Sequence, residues 1–345
     1  MRLIPIAIVA SVWLAIVAPA PLQDTLHRQS RRVMGSLAEI QVYDADDVSA
    51  ARAMAAALDE MQRVDGLLSN YRPDSELSRM NSAAPKAPFQ ASPELYDFVK
   101  RSRAYFEETL GTFDPTMGPL VRAWGFFTPR PARPSAADAA AARARSGFDK
   151  VRLDDLSRSV SYAVEGIEFD PGGIGKGYAA DRAVRVLQQF GITSALVSAG
   201  GSTLYGLGHP PERDGWKVAV RDPSSPATSL RFVTLRDNAV STSGTSEKFV
   251  DVEGHRYGHI IDPRSGEPVE GMCQVSVVSP SATDSDALTK AAFILPRETL
   301  TRLFARRAGV HVLRVEGLCA DRGEIWETPW SAGIFLRDAE GREPR

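Results

Sequence analysis

Ile167-Glu-Phe-Asp-Pro-Gly-Gly-Ile-Gly-Lys-Gly-Tyr178 joins an alternating apolar run to four glycines and a lysine. Ile167 to Asp170 reads as a strand. The residues after the glycines read as a helix, because Ala180, Ala183, Val184 and Leu187 recur on one face before Gly191 ends the pattern. A glycine-rich turn at this place leaves backbone N–H groups free at a helix start, where the macrodipole favours an anion such as phosphate or pyrophosphate. It is not a Walker motif: Gly177 follows Lys176 where a magnesium-binding hydroxyl should stand, and the glycines miss the GxGxxG spacing. Taken alone, the stretch fits a tight structural turn as well as a ligand loop, and Asp170 fits a ligand or the cap of that turn.

Upstream, Ala38, Ile40 and Val42 alternate with Glu39 and Gln41, the pattern of a half-buried strand over Leu37 to Tyr43. Met54, Leu58, Met61, Val64 and Leu68 then recur at helical spacing, with Asp46, Asp47 and Ser49 as acceptors near the start. A second helix is bounded by Ser92 as N-cap, Pro93 in the first turn and Gly111 as terminator, with Leu95, Phe98, Val99 and Phe106 on one face. Pro129 to Gly147 shifts to Ala, Pro and Arg, which predicts a surface insertion with one short Ala-rich helix and no chemistry. Downstream, Ala195 to Ser198, Trp216 to Arg221, Leu230 to Leu235 and Gln274 to Val278 read as strands, and a last helix starts near Thr283. These elements predict mixed α/β structure.

The 345 residues suffice for two domains or one large one, with 43% hydrophobic and 24% charged residues, ordinary for a soluble globular chain. The balance of 41 Lys+Arg against 43 Asp+Glu supplies no electrostatic reason for nucleic-acid binding. Cys273 and Cys319 form no CxxC pair, and one disulfide or two buried thiols fit equally. Arg2 precedes an uncharged run from Leu3 to Ala20 that reads as a secretory signal, with Ala18 and Ala20 as the small residues of a cleavage site. The rival reading is an uncleaved anchor, since the run just spans a bilayer core of roughly 30 Å. Export is expected in either case.

Other segments carry candidate chemistry. Gly200-Gly201 ends a strand where bare backbone can approach a ligand, and Thr242-Ser-Gly-Thr-Ser246 offers hydroxyls to ribose or phosphate oxygens. Each also fits an ordinary turn or polar loop. Tyr257-Gly-His-Ile-Ile-Asp-Pro263 suggests a strand ending at a positioned carboxylate, with His259 as its imidazole. His27, His209, His255, His259 and His311 make no HExxH or other metal spacing, so zinc catalysis lacks support. Thr283-Asp-Ser-Asp286 places two carboxylates in a first helical turn, with Thr289 on a neighbouring position, hard oxygen ligands that suit Mg²⁺. The plain alternative is a helix salt bridge from Asp286 to Lys290, at i,i+4 in the favourable acid-first order.

In this order the segments resemble the ApbE family of periplasmic FAD:protein FMN transferases. The resemblance runs from about Arg32 to Leu295 and rests on eight motifs. They are Met34-Gly-Ser36, Ser69 to Asn81, Phe113 to Phe126, Asp170 to Tyr178, Ser198-Ala-Gly-Gly201, Thr242-Ser-Gly244, His259-Ile-Ile-Asp-Pro263 and Asp286-Ala-Leu288. The fold it implies is α+β, with duplicated T-fold-like antiparallel sheets and helices in one flavin transferase domain over residues 32–335, and FAD in a cleft. The activity it implies is cleavage of the FAD pyrophosphate by a Thr or Ser hydroxyl of an acceptor flavoprotein, giving phosphoester-linked FMN and AMP. The acceptor in this family is usually a membrane electron-transfer subunit or its periplasmic domain. FAD hydrolysis, and flavin binding or delivery without catalysis, are the two rival readings.

Carried over by position, the resemblance makes His259 the base and brings Met34, Tyr71, Trp124, Gly125, Phe126, Asp170, Lys176 and Ile261 to FAD, with Tyr71 stacked on the flavin. It gives Mg²⁺ to the Gly173 carbonyl, the Asp286 carboxylate and the Thr289 hydroxyl. Two positions depart from the family. Ser202 follows Gly201 where an acidic or amide residue is frequent, and Lys290 stands where Thr is common, although a protonated ammonium cannot ligate Mg²⁺. Three alternatives follow for Lys290: Thr289 and water replace the missing ligand, the ammonium turns to solvent or pairs with Asp286, or its charge partly replaces the metal beside the pyrophosphate.

Overall fold

The computed structural model describes residues 24–44, 46–126, 132–245, 249–252, 254–319, 323–330 and 336–338. The expected signal or anchor at residues 1–20 lies outside them, as do Pro129 and Ser246. Among the described residues no helix is long and apolar enough to cross a membrane. Chain order begins with the hairpin β1 (Thr25–Val33) and β2 (Ser36–Asp44), followed by α1 (Asp47–Leu68) and α2 (Glu76–Ala83). Next come β3 (Phe89–Gln90), α3 (Pro93–Glu108), α4 (Gly118–Trp124), α5 (Ala136–Ala144), β4 (Val151–Asp154) and β5 (Ser159–Tyr162). Then α6 (Gly175–Gln189) leads into β6 (Ala195–Ala199), β7 (Thr203–Leu207), β8 (Trp216–Asp222), β9 (Ser225–Leu235) and β10 (Asn238–Gly244). The hairpin β11 (Phe249–Val252) and β12 (His255–Gly258) precedes β13 (Met272–Ser279), α7 (Ala282–Ile294) and α8 (Arg297–Phe304). The last strands are β14 (His311–Glu316), β15 (Glu324–Glu327) and β16 (Leu336–Asp338).

Eight strands form one antiparallel sheet in the order β1-β2-β6-β7-β10-β13-β14-β15. Helices α1, α6 and α7 lie side by side on one face, and the β8 and β9 ribbon covers part of the other. This is an α+β arrangement of helices on antiparallel sheet. Cover on both faces explains why β13 is buried at all eight positions, whereas β2 buries only the alternating Ala38, Ile40 and Val42. The helix signals act as read: the Asp46 carboxylate accepts the Val48 and Ser49 N–H groups at the start of α1, and Ser92 accepts that of Leu95 at α3.

Two expectations change. Ile167 to Asp170 is extended but forms no strand, since Glu168 makes only one bridge, to Met117. The side chain of Asn81 stands in for a neighbouring strand, donating to the Phe169 carbonyl at 3.0 Å and accepting the Phe169 N–H at 2.9 Å. The other expected strand, through His259 to Asp262, stops at Gly258. Ile261 makes a single antiparallel bridge to Pro268, and between them the chain turns as the Asp262 carbonyl accepts the Gly266 N–H and the Asp262 carboxylate pairs with Arg264. The sequence also hid β1, a mostly polar edge strand whose single buried residue, Val33, leaves no apolar period to detect.

Gly177 lets α6 touch α7: a Cβ there would stand 2.1 Å from the Ala282 carbonyl oxygen. One turn later Asp181 caps α7, accepting the N–H groups of Ala282 at 2.8 Å and Thr283 at 2.9 Å. Gly177→Ala should therefore cost about 1–3 kcal/mol, as overpacking does, read as a lowered urea midpoint. Cys273 and Cys319 form a disulfide that closes a separation of 46 residues. Cys319→Ser should cost roughly 2–4 kcal/mol; an unchanged midpoint in non-reducing buffer would contradict the bond.

Candidate active site

Three turns meet at the start of α6. The first is Met34-Gly35 in the β1–β2 hairpin, with φ of 53° and 69°, a pair of left-handed residues suited to a two-residue connection. Methionine is uncommon in that region, and Asp65 of α1 holds its backbone N–H at 3.0 Å. Its methyl carbon closes the space beside Gly175, 3.1 Å from where a Cβ would be. The second turn is Gly200-Gly201, where a Cβ on Gly200 would lie 2.7 Å from the Ser36 hydroxyl and 3.6 Å from Lys176 Cδ. The third is the glycine turn, in which the Asp170 carboxylate accepts the Gly172 N–H at 2.8 Å. Helix α6 then begins with no cap from its own N-cap residue, Ile174, and its first two N–H groups, on Gly175 and Lys176, face the site of an anion. The Lys176 ammonium donates to the Ser202 hydroxyl beside it.

Helix α7 adds the polar side chains. Asp286 Oδ2 accepts the Gly177 N–H at 3.0 Å, so a carboxylate stabilises the positive end of α6. Its Oδ1 receives Lys290 Nζ at 3.1 Å. The same ammonium donates to Thr289 Oγ1 at 2.9 Å, to the Asp286 carbonyl at 3.2 Å and to Ser243 Oγ at 3.4 Å. Ser243 of β10 donates to Thr289 at 2.9 Å, and Thr289 donates to the Asp286 carbonyl at 2.7 Å. Burial pushes the Lys290 amine below its ordinary value, against the opposing pull of Asp286. Its stem runs past Gly173, with Cε 3.3 Å from the position of an added Cβ. Lys290 thus pairs with Asp286 and does not turn to solvent. Gly173, Asp286 and Thr289 do come together, but with an ammonium on the oxygens assigned to Mg²⁺. Mg²⁺ and protonated Lys290 cannot share Asp286 Oδ1 and Thr289 Oγ1, so this arrangement does not fit the ion. Among the described residues no cluster of three or more His, Cys, Asp or Glu offers an alternative site.

These segments fall within residues 34–313, over which the chain matches the model of the ApbE family. The chain belongs to the ApbE family. It is 33% identical over 306 residues to an FAD:protein FMN transferase of Treponema pallidum, covering 83% of each chain. It is 29% identical over 318 residues to one of Klebsiella pneumoniae, covering 90% of each. Among solved structures, the ApbE protein of Thermotoga maritima superposes with a TM-score of 0.79 at 29% identity, over 88% of this chain and 97% of that one. The flavin transferase ApbE of Vibrio cholerae gives 0.76 at 28% identity, over 89% and 98%.

The remaining ApbE positions separate into an open rim and a buried support. Tyr71 is 75% exposed, its hydroxyl pushed up by partial burial and by the nearby Asp170 charge. Trp124 is fully buried and donates its indole N–H to the Gly266 carbonyl at 3.1 Å, so it has no side-chain surface for FAD. Phe126, half-buried and stacked on Trp124 at 5.9 Å, is the ring of that motif with surface left, and Gly125 ends α4 in the left-handed region. Ile261 packs in the same cluster as Trp124, together with Ala142 of α5. Arg143 of α5 also donates to the Ser265 carbonyl, so the expected surface insertion braces the loop that carries His259. His259 itself is half-buried in the bend after β12. Gly258 sets its place, for a Cβ there would stand 2.3 Å from Thr245 Cγ2, just past β10.

Sequence reasoning missed Asp65, Asn81 and Asp181 as parts of this construction. Asp181 alone left a signal, standing at i+4 from Gly177 on the same helix face. Burial raises the Asp170 carboxyl above its usual 3.8, although the Gly172 N–H and the Asn70 side chain favour its charged form. A raised folded-state value gives most stability at low pH and loses it as pH rises through that value. Asp170→Asn should therefore be more stable than wild type at neutral pH, and the gap should close below the usual carboxyl range. Urea curves at a series of pH values check this; a gap that persists at about pH 3 would contradict it.

Proposed function

We propose that this chain transfers FMN from FAD to a threonine or serine hydroxyl of an acceptor flavoprotein and releases AMP. The observation that carries the reading is the meeting of Lys176, the first turn of α6 and the Asp286, Thr289 and Lys290 group at one place. It occurs in a chain whose curated relatives are named FAD:protein FMN transferases. The acceptor oxygen bonds to the FMN phosphorus as the bond from that phosphorus to the bridging oxygen breaks, and AMP leaves with that oxygen. His259 takes the hydroxyl proton. Lys176 and the N–H groups of α6 hold the pyrophosphate, while Tyr71 and Phe126 offer rings to the flavin. Mg²⁺, which Gly173, Asp286 and Thr289 would hold in the family pattern, has no place among these oxygens while Lys290 occupies them.

The uncharged run from Leu3 to Ala20 supports export to the periplasm, cleaved or anchored there, and the Cys273–Cys319 disulfide suits an oxidising compartment. The partner chemistry is that of a periplasmic domain on a membrane electron-transfer subunit. Intact-mass measurement of such a domain, incubated with the chain and FAD, tests the reading. A gain of one FMN residue per acceptor with matching AMP is expected, slowed about 10²–10⁴-fold by His259→Ala. AMP without labelled acceptor would make the chain a hydrolase, and tight FAD binding with neither product would make it a flavin carrier.

A further inference from the structure

The Lys290 group goes further than this reading and rests on it. An exposed i,i+4 ion pair engages one acceptor and is weakened by solvent. Lys290 engages four oxygens: a carboxylate, a carbonyl and two hydroxyls, one of them from β10. The Thr289 proton goes to the Asp286 carbonyl and the Ser243 proton to Thr289, so both hydroxyls can only accept from Nζ. An amine facing nothing but acceptors is placed as a protonated cation. Carboxylate, carbonyl and hydroxyl oxygens are also the donor set of a hard metal ion, and here they surround an ammonium. The set is fixed from both sides, by the Gly177 N–H on Asp286 and by the Lys290 stem against Gly173. Lys176 stands one residue before Gly177, which puts a second ammonium at the same helix start.

We propose that Lys290 is the built-in cation of this site: with Lys176 it neutralises the FAD pyrophosphate and the charge growing on the departing AMP, so that transfer needs no divalent metal. The bond changes remain those of the transfer. The acceptor oxygen joins the FMN phosphorus, the bridging P–O bond breaks, the hydroxyl proton leaves on His259, and Lys290 keeps its protons.

Two measurements on the full chain test this. Mn²⁺ titration of FAD-free protein, followed by electron paramagnetic resonance, reads the cation site without turnover. Wild type should take up no Mn²⁺, and Lys290→Thr should gain one site. In the acceptor-labelling assay, chelator should leave wild-type transfer unchanged but slow Lys290→Thr by about 100-fold, with rescue by Mg²⁺. Stoichiometric Mn²⁺ uptake by wild type, or loss of its transfer in chelator, overturns the proposal, and both results stand even if the variant fails to fold. Should the transferase reading fail instead, no acceptor is labelled under any cation condition, and the Mn²⁺ titration still decides the role of Lys290.

Discussion

The site depends on the missing side chain at Gly177. The Ala282 carbonyl oxygen and Asp286 Cβ, 2.1 and 2.8 Å from a would-be Cβ, occupy the space that any other residue would claim. Because α6 and α7 touch there, Asp286 reaches the backbone N–H of Gly177 and settles its carboxylate at the positive end of α6. Asp181 fastens the same contact from the other direction by capping α7. Both helix starts are stabilised by carboxylates from the opposite helix, so neither can shift without breaking hydrogen bonds to a carboxylate, the one on Asp286 buried.

The contact between α7 and the sheet extends this rigidity through hydroxyl groups. Ser241 and Ser243 lie on one face of β10 and meet Ser285 and Thr289 of α7, at 2.7 and 2.9 Å. Two strand residues advance roughly 6.6 Å and four helix residues roughly 6.0 Å, so the two polar rows stay in register. Ser241 also donates to Thr203 on the neighbouring strand at 3.0 Å. Buried hydroxyls thus run beside the apolar contacts of Leu288, Ala291 and Ala292, and Lys290 ends the row among oxygen acceptors.

The support on the other side is apolar. Trp124, Leu120, Ala142 and Ile261 join α4, α5 and the loop after β12 into a small core of their own. Beyond Gly258 the loop carrying His259 keeps only a short antiparallel bridge, Ile261 to Pro268, and this cluster supplies the rest of its support. Asn81 does the same for the extended segment before the glycine turn, pairing with Phe169 as a strand would.

Local physics made much of this legible in the sequence. The caps at Asp46 and Ser92, the apolar face of α6 and the alternation in β2 are set by residues within one or two turns of each other. The eight ordered motifs likewise carried the ApbE resemblance, because chemistry of this kind needs particular residue types at particular positions. Edge strand β1 escaped because its residues are polar on both faces, and Asn81 because its partner, Phe169, lies 88 positions away. The buried state of Trp124 and the disulfide between Cys273 and Cys319 are likewise properties of packing between distant segments. Lys290 shows the division most clearly. Sequence alone supplied a cation where the family has a hydroxyl and left three fates open for it. The pair with Asp286 needs only the local helix, but the other oxygens come from tertiary structure, because only folding brings Ser243 of β10 and the Gly173 turn to the same ammonium and strips most of the water from its stem.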